Sequence, residues 1–524
     1  MEKHILRNGM EKDNQIGFTA GGRIEYNHFI LQYLVERAHK KEEEMFVIAL
    51  DFKKAFDSVD RIKLIETLIE YKINPTVVDL IAKLYSEDRT VLSLGNWSKE
   101  IDVNSGIKQG CPMSTTLFKL VTYKIIRHME ERGKKYDVEG RNINSMFYAD
   151  DSMIFAKTRE DAEKNLQEIA KISAEYGLHI NMEKSKILVY GAKEEYGNIG
   201  GIEVVEKVKY LGLMVDNKRD IYKTQKEEIE KRTKTYENLT YSVVTKCCNR
   251  ILIGKNYWKG IVLPTVLHGA GLMNPGGALI NKLQRMENGV YRKILGARRN
   301  TVVEVLRGEV GASATETRFI ESRLMLTKSM WEGKNEWVKE ILKKVRENGR
   351  NNWNRVLNGY LKKIGISFEE LIEMGKEEVK RKVRDYDSKK WKEGLEKKTS
   401  VKIYKKYKKE IKEDRIYNNK MSSKILFQAR ANCMGINNRF RHVEGKETRC
   451  DLCGNCVEDL GHFLIECESL KDKRNIEIMN RNKSENKDEW MGRILWEEKD
   501  IEGVKEMLGE MWKGREEGRK RLGL

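Results

Sequence analysis

The stretch "SMFYADDSMIFA", Ser145 to Ala156, sets two apolar runs around Ala149, Asp150 and Asp151. Short apolar segments flanking a polar pair read as two strands joined by a tight turn. Adjacent carboxylates repel each other, and an apolar hairpin is a costly place to put them. Alone, a tandem Asp-Asp often marks nothing more than a turn.

Upstream, "FVIALDFKKAFDSVD" (Phe46–Asp60) supplies a partner for that pair. Met45–Leu50 is a short apolar run that reads as a buried strand, and Asp51 stands at its end. An acid at the end of a buried strand needs compensation. A hard divalent cation such as Mg²⁺ provides it, because it favours carboxylate oxygens. Two such strands side by side bring Asp51, Asp150 and Asp151 together. A cluster of that kind can hold two metals and clamp the attacking and leaving oxygens of a phosphoryl displacement. Asp57 and Asp60 read as helix caps or surface acids.

The bulk numbers fit a large, basic protein. With 524 residues, two to four domains are expected. Hydrophobic residues make up 40%, enough for packed cores, while charged residues reach 35% and give a very polar surface. Lys and Arg outnumber Asp and Glu by 100 to 81, a net charge of +19. Such an excess favours a polyanionic partner, nucleic acid most simply, against the plainer reading of a soluble lysine-rich protein. Cys111, Cys247, Cys248 and Cys433 are scattered and form no disulfide framework, which points to a reducing compartment. The start, "MEKHILRNGMEKDNQ", lacks the apolar core of a secretory signal, and no apolar run is long enough to span a membrane. The expectation is an intracellular protein, nuclear or cytoplasmic, with no membrane partner.

Residues 1 to about 220 mix strand and helix signals. In "RIKLIETLIEYKI", Ile62, Ile65, Ile69 and Ile73 suggest one helical face, with Asp60 as N-cap. "VVDLIAKLYS" reads as a helix after Pro75. "DAEKNLQEIAKISAEYGL" puts Ala162, Leu166, Ile169 and Ile172 on one face, with Gly177 at the C-terminal cap. From about 221 to 345 the pattern is helical. In "ALINKLQRMENGVYRKILG", Leu279, Leu283, Met286, Val290 and Ile294 share a face, Met286 as core filling, and Gly296 ends the helix. Residues 346–445 turn lysine-rich. Lys389–Arg415 holds twelve basic and five acidic residues with Trp391, Tyr404 and Tyr407 among them. Either this stretch tracks a nucleic-acid backbone and stacks bases, or it is a solvated face whose aromatics pack inward.

Near the C-terminus, "CDLCGNCVEDLGHFLIEC" contains Cys450, Cys453, His462 and Cys467 in a C-x₂-C-x₈-H-x₄-C pattern. Paired thiolates with a later His and Cys fit a closed tetrahedral Zn²⁺ site. Cys456 is a spare ligand, and the plainer alternative is a set of ordinary buried cysteines. The segment would bind template RNA or target DNA, or staple a small domain with little core of its own.

The order of these segments resembles the palm of a reverse transcriptase of the non-LTR (LINE-like) retrotransposons. "FVIALDFKKAFDSVD" resembles the first palm motif, and "GIKQGCPMSTTLF" the Gln-Gly-X-Pro motif. "FYADD" is similar to the Tyr/Phe-X-Asp-Asp turn, "YGLHINMEKSKIL" to the lysine-bearing motif, and "VKYLGLMVD" to the primer-grip hairpin. "GFTAGGRIEYNHFILQYLVERA" resembles the end of the fingers. The resemblance runs from about Gly17 to Asp216, with weaker likeness through "VLPTVLHGA" and "KLQRMENGVYRKILGARRNTVVEVLRGEVG". Similar Cys-His segments close such elements.

The resemblance implies an α+β fold, a right-hand polymerase palm of antiparallel sheet with packed helices. A helical thumb-like region and a small zinc knuckle would follow. The divisions it suggests are residual fingers 1–44, palm 45–220, thumb-like region 221–345, basic helical region or linker 346–445, zinc knuckle 446–470 and charged helical tail 471–524. It implies that Asp51 and Asp150 bind two Mg²⁺ (or Mn²⁺) ions, that Asp151 completes the acidic site, and that the Phe52 carbonyl faces a metal. Phe56 would exclude a ribose 2′-hydroxyl, while Gln109 and Gly110 line the nucleotide pocket. Tyr148, Tyr210, Leu211 and Gly212 would hold the primer, and Lys184 would neutralise leaving pyrophosphate. The partners implied are an RNA template, a DNA primer or target DNA, and dNTP. Upstream fingers and an endonuclease domain would be expected before Met1, so the resemblance suggests an N-terminally truncated copy, with Arg23 a solvated arginine or partial substitute for the missing basic grip. Two functions follow: an RNA-directed DNA polymerase, or a silent fragment that binds nucleic acid through its basic region and knuckle.

Overall fold

Strand β1 (Met45–Leu50) sits inside a four-stranded antiparallel sheet with β2 (Ser145–Tyr148), β3 (Asp151–Ala156) and β4 (Lys186–Tyr190), in the order β2-β3-β1-β4. In this computed structural model the described residues are 4–5, 10–138, 140–218, 220–246, 250–349, 351–440, 445 and 447–524. Cys247 and Cys248 lie outside them.

The unbroken apolar run of β1 follows from burial on both faces. Phe46, Ile48 and Leu50 pack with Leu117, Phe118, Ile169 and Ile187, from the helices Ser114–Arg132 and Arg159–Glu175 and from β4. Met45 and Val47 face the other way, into a cluster with Leu31, Leu34, Met146, Met153 and Phe155. The helix Ile24–Lys41 covers that second face. A hairpin of β5 (Lys207–Tyr210) and β6 (Leu213–Asp216) follows, and from Lys223 onward the regular elements among the described residues are helices.

Local chemistry sets several boundaries. Asp60 caps the helix Arg61–Glu70 by accepting from the Lys63 N–H at 2.8 Å, a contact worth about 1 kcal/mol. Thr158 caps the helix Arg159–Glu175 in the same way, and Gly177 follows that helix at φ 78°. Ala162, Leu166, Ile169 and Ile172 are its buried face.

Two expectations from periodicity are corrected. In the helix Arg61–Glu70 the buried stripe is Leu64 and Leu68, while Ile62 and Ile69 are 72% and 62% exposed. Two i,i+4 stripes are legible in this helix, and the one with the leucines faces the core. In the helix Gly276–Leu295, Met286 is only half-buried and Glu287 takes the core position. Its carboxylate is fully engaged, accepting from Trp258 Nε1 at 3.1 Å, Arg318 Nη1 at 2.9 Å and Tyr291 Oη. In the lysine-rich region, where two readings stood open, the aromatics pack inward. Trp391 and Tyr404 are buried, and Tyr407 stacks on Trp496 with ring centroids 5.5 Å apart. None of the three is free to stack on bases.

Candidate active site and Cys/His centre

The register of β1 on β3 pairs Leu50 with Ser152, so the next step along both strands brings Asp51 opposite Asp151. Tyr148 pairs with Asp151 across a loop of two residues, Ala149 and Asp150. The three carboxylates therefore meet at one end of the sheet. Asp150 and Asp51 are half-buried, and Asp151 is open to solvent on its outer side. Desolvation raises the pKa of Asp150, with the Asp51 charge adding to it. Asp151 is pushed up to about 6, first by desolvation and then by the charges of Asp150 and Asp51. Like charges gathered on a partly open surface are the condition that a divalent cation relieves, and oxygen donors suit Mg²⁺ or Mn²⁺. The donor set fits.

Around this cluster the chain is tied down by backbone. The Asp51 N–H donates to Ser185 Oγ at 3.1 Å, and the Asn181 N–H donates to the Asp51 carbonyl at 2.7 Å. These contacts carry the exposed Lys184 alongside the strand end. Phe52 is buried and bridges to Ile180. Phe56 stacks on Phe118 at 4.6 Å with an interplanar angle of 8°, and Phe18 meets its edge at 6.0 Å. Gln109 Nε2 donates to Asp57 Oδ1 at 2.8 Å, so Asp57 is engaged with the Gln-Gly loop and caps no helix. Gly110 has φ 84° with open space where a Cβ would stand, a backbone that suits glycine.

The β5–β6 turn holds Leu211 at φ 42° and Gly212 at φ 84°, both left-handed, as in a type I′ hairpin turn. Tyr148 is half-buried, but Tyr210 turns its ring into the core, so its side chain is not available at the surface. Asn27 Nδ2 donates to Tyr210 Oη at 3.0 Å, and His28 Nε2 lies 3.1 Å from the Tyr210 carbonyl. Desolvation pushes the His28 pKa down to about 3, which keeps the imidazole neutral. His268 Nε2 sits 3.5 Å from the Leu211 carbonyl and would be 2.8 Å from a Cβ at Gly212. Asn27, His28 and His268 were missed by pattern reading. The only trace of the first two was a polar pair set between aromatic residues in "EYNHFILQYL". Arg23 makes a 3.3 Å contact to Ser329 Oγ on the helix Thr315–Glu332, and stays exposed.

A second centre lies far along the chain. Cys450, Cys453, His462 and Cys467 bring their ligand atoms within 4.8 Å of one another, and three of the four are buried. Cys450 Sγ and Cys467 Sγ are 3.8 Å apart, and Cys453 Sγ is 3.4 Å from His462 Nε2. A hydrogen bond from Cys467 draws the Cys450 thiol well below the usual range. His462 Nδ1 is buried without a hydrogen bond, 4.0 Å from Glu466 Oε2. Three thiols and an imidazole at this spacing fit Zn²⁺. Cys456 is exposed and outside the set, so it does not serve as a spare ligand here. Arg515 fastens the segment to the C-terminal helix Ile501–Arg521. Its guanidinium donates to both oxygens of buried Glu458, at 2.5 and 2.7 Å.

Three acids at one end of an antiparallel sheet, a Gln-Gly loop tied to Asp57 and a clamped two-strand hairpin all lie in the first 216 residues. Residues 2–215 match the family described as "Reverse transcriptase (RNA-dependent DNA polymerase)", and they form a reverse transcriptase domain of the non-LTR retrotransposon kind. The chain is 31% identical over 160 residues to a Pol polyprotein from the type-1 retrotransposable element R2 of Bradysia coprophila, covering 30% of this chain and 18% of that protein. It is 29% identical over 215 residues to the Pol polyprotein of the element R2DM of Drosophila melanogaster, covering 38% of this chain and 20% of that one. The match thus spans about a fifth of each relative's length. The apo telomerase of Candida tropicalis overlays 73% of this chain and 59% of its own with a TM-score of 0.37 at 10% identity. Among the described residues no helix is long and apolar enough to cross a membrane.

Proposed function

We propose that this chain is an RNA-directed DNA polymerase of a retrotransposon, extending a primer 3′-hydroxyl with deoxynucleotides on an RNA template. The observation that carries this reading is the β1–β3 register, which sets Asp51 beside the Asp150–Asp151 turn within a segment that matches reverse transcriptases. Asp51, Asp150 and Asp151 would hold two Mg²⁺ or Mn²⁺ ions. When bound, such ions lower the pKa of the attacking hydroxyl and neutralise the triphosphate. The chain's own groups do the rest. Phe56, braced by Phe118, closes the sugar pocket against a 2′-hydroxyl. Gln109, Gly110 and the Phe52 carbonyl line the nucleotide pocket, and Lys184 meets the charge of leaving pyrophosphate. Tyr148, Leu211 and Gly212 hold the primer end, with Tyr210 contributing through its backbone.

The finer architecture belongs to the same proposal: fingers remnant 1–44, palm 45–220, thumb-like helices 221–345, a basic region 346–445, a zinc knuckle 446–470 and a tail 471–524. In this reading Cys450, Cys453, His462 and Cys467 bind Zn²⁺, and the knuckle and exposed lysines bind template RNA or target DNA. The test is extension of a DNA primer on an RNA template by this chain, beside its Asp150→Asn variant. Nucleic-acid binding with no synthesis by either would favour a silent binding fragment.

A further inference from the structure

One contact set lies against the acidic turn and centres on Gln15, just upstream of the stretch that begins at Gly17. The segment Asn14–Gly17 runs beside β2. The Ile16 N–H donates to the Phe147 carbonyl at 3.0 Å, and the Phe147 N–H donates to the Asn14 carbonyl at 2.6 Å. Within it the Gln15 side chain is buried, 1% exposed, and makes four hydrogen bonds. Its Oε1 accepts from the N–H groups of Gly17 and Ala149, each at 3.0 Å. Its Nε2 donates to the Ala149 carbonyl at 3.2 Å and to Thr122 Oγ1 at 2.9 Å. Thr122 spends its own proton on the Lys119 carbonyl, so its oxygen is free to accept. The partners thereby fix which end of the amide is oxygen.

The residue so held is the one under strain. Ala149 is the first residue of the two-residue loop and has φ 59°, while Asp150 is not in the left-handed region. That pattern suits glycine at the first position, and a side chain there costs about 1–2 kcal/mol. Gln15 satisfies both backbone groups of Ala149, which is itself buried. The next residues lie closer still: a Cβ on Gly17 would stand 2.2 Å from the Ala149 nitrogen. Only a primary amide of this length gives an acceptor to one backbone group and a donor to the other. A carboxylate cannot donate, a lysine or arginine cannot accept, and asparagine is one methylene short.

We propose that Gln15 is a positioning residue for the metal site: by gripping strained Ala149 through both its N–H and its C=O, it sets Asp150 and Asp151 where two divalent cations can be shared with Asp51. The proposal rests on the polymerase reading for its purpose, but its test does not need turnover. Mn²⁺ binding to the full chain is titrated by electron paramagnetic resonance, with Asp150→Asn marking the signal that belongs to the three carboxylates. Gln15→Met is expected to raise the half-saturating Mn²⁺ concentration of that signal at least fivefold. Adding Ala149→Gly is expected to recover at least half of the loss, since glycine holds this φ without a clamp. If Gln15→Met does not fold, Gln15→Asn is read the same way. Unchanged Mn²⁺ affinity in the Gln15 variant overturns the proposal. So does a loss that Ala149→Gly leaves unrepaired, because that is general damage to the fold. A wild type that binds Mn²⁺ as described and extends no primer counts against the polymerase reading alone, and one that binds none at these acids overturns both.

Discussion

Phe56 and His28 show what single side chains contribute. Phe56 lies flat on Phe118, so its ring cannot swing away without breaking a stacked pair. Phe56→Val is expected to leave dNTP incorporation measurable while raising the relative kcat/KM for ribonucleotides by about tenfold or more. Steady-state incorporation of matched dNTP and rNTP reads this, and an unchanged ratio removes Phe56 from the gate. His28 is packed against the rings of Tyr210 and Tyr222, at 5.3 and 6.0 Å, with the charge of His268 acting in the same direction as burial. Its folded pKa of about 3 lies below the ordinary value of 6.5, so the fold favours the neutral form. The stability this provides is complete above about pH 6.5 and is lost as pH falls towards 3. Between pH 7 and 5.5 the loss from this one group is about 1 kcal/mol. Denaturant unfolding of wild type and His28→Gln at both pH values should show a smaller acid-dependent loss in the variant; equal losses would exclude His28 as the source. The three acids were legible because a strand-end Asp and a hairpin Asp-Asp are unusual in apolar sequence. Asn27, His28 and Gln15 were not, because a polar residue's worth here depends on partners more than a hundred positions away.

At the scale of elements, what the sequence announced best was the sheet. The run Met45–Leu50 and the two strands flanking Ala149–Asp150 appear where their patterns put them, because a strand buried on both faces has no polar position to spare. Which face of a helix is buried was harder to read. Ile62 and Ile69 repeat at helical spacing as well as Leu64 and Leu68 do, and only the neighbouring helices decide between them. The same limit applied to Trp391 and Tyr404. Their basic surroundings left both a nucleic-acid surface and an inward-packed face open, because lysines can coat one side of a helix whose aromatics fill the other. The two hairpin turns, at Ala149 and at Leu211, share a non-glycine residue with positive φ. Each is braced from outside its own strands, one by Gln15 and the other by His28, with His268 close above it.

Across the whole molecule, the Cys/His centre and the acidic centre are held by different means. The carboxylates rest on a sheet covered on both sides. The Cys/His segment rests on the proposed Zn²⁺ ligands, on Phe463 and Leu464 in the core, and on the buried Arg515–Glu458 pair. Zinc, bound as proposed, would add folding energy to a segment with few apolar residues of its own. Chelation, or Cys450→Ser, is expected to release about one equivalent of zinc and to make the chain from about residue 446 onward protease-sensitive, while the residues before Asp216 keep their resistance. Limited proteolysis with metal analysis checks this; full resistance after complete zinc loss would make the metal dispensable for the segment. For the acidic centre, the most direct measurement is extension of a labelled DNA primer on an RNA template, with Mg²⁺ and dNTPs, by wild type and Asp150→Asn in parallel. Synthesis by the wild type, reduced by about a thousandfold or more in the variant, is the predicted result. Equal extension by both chains would contradict the assignment of these aspartates to the reaction.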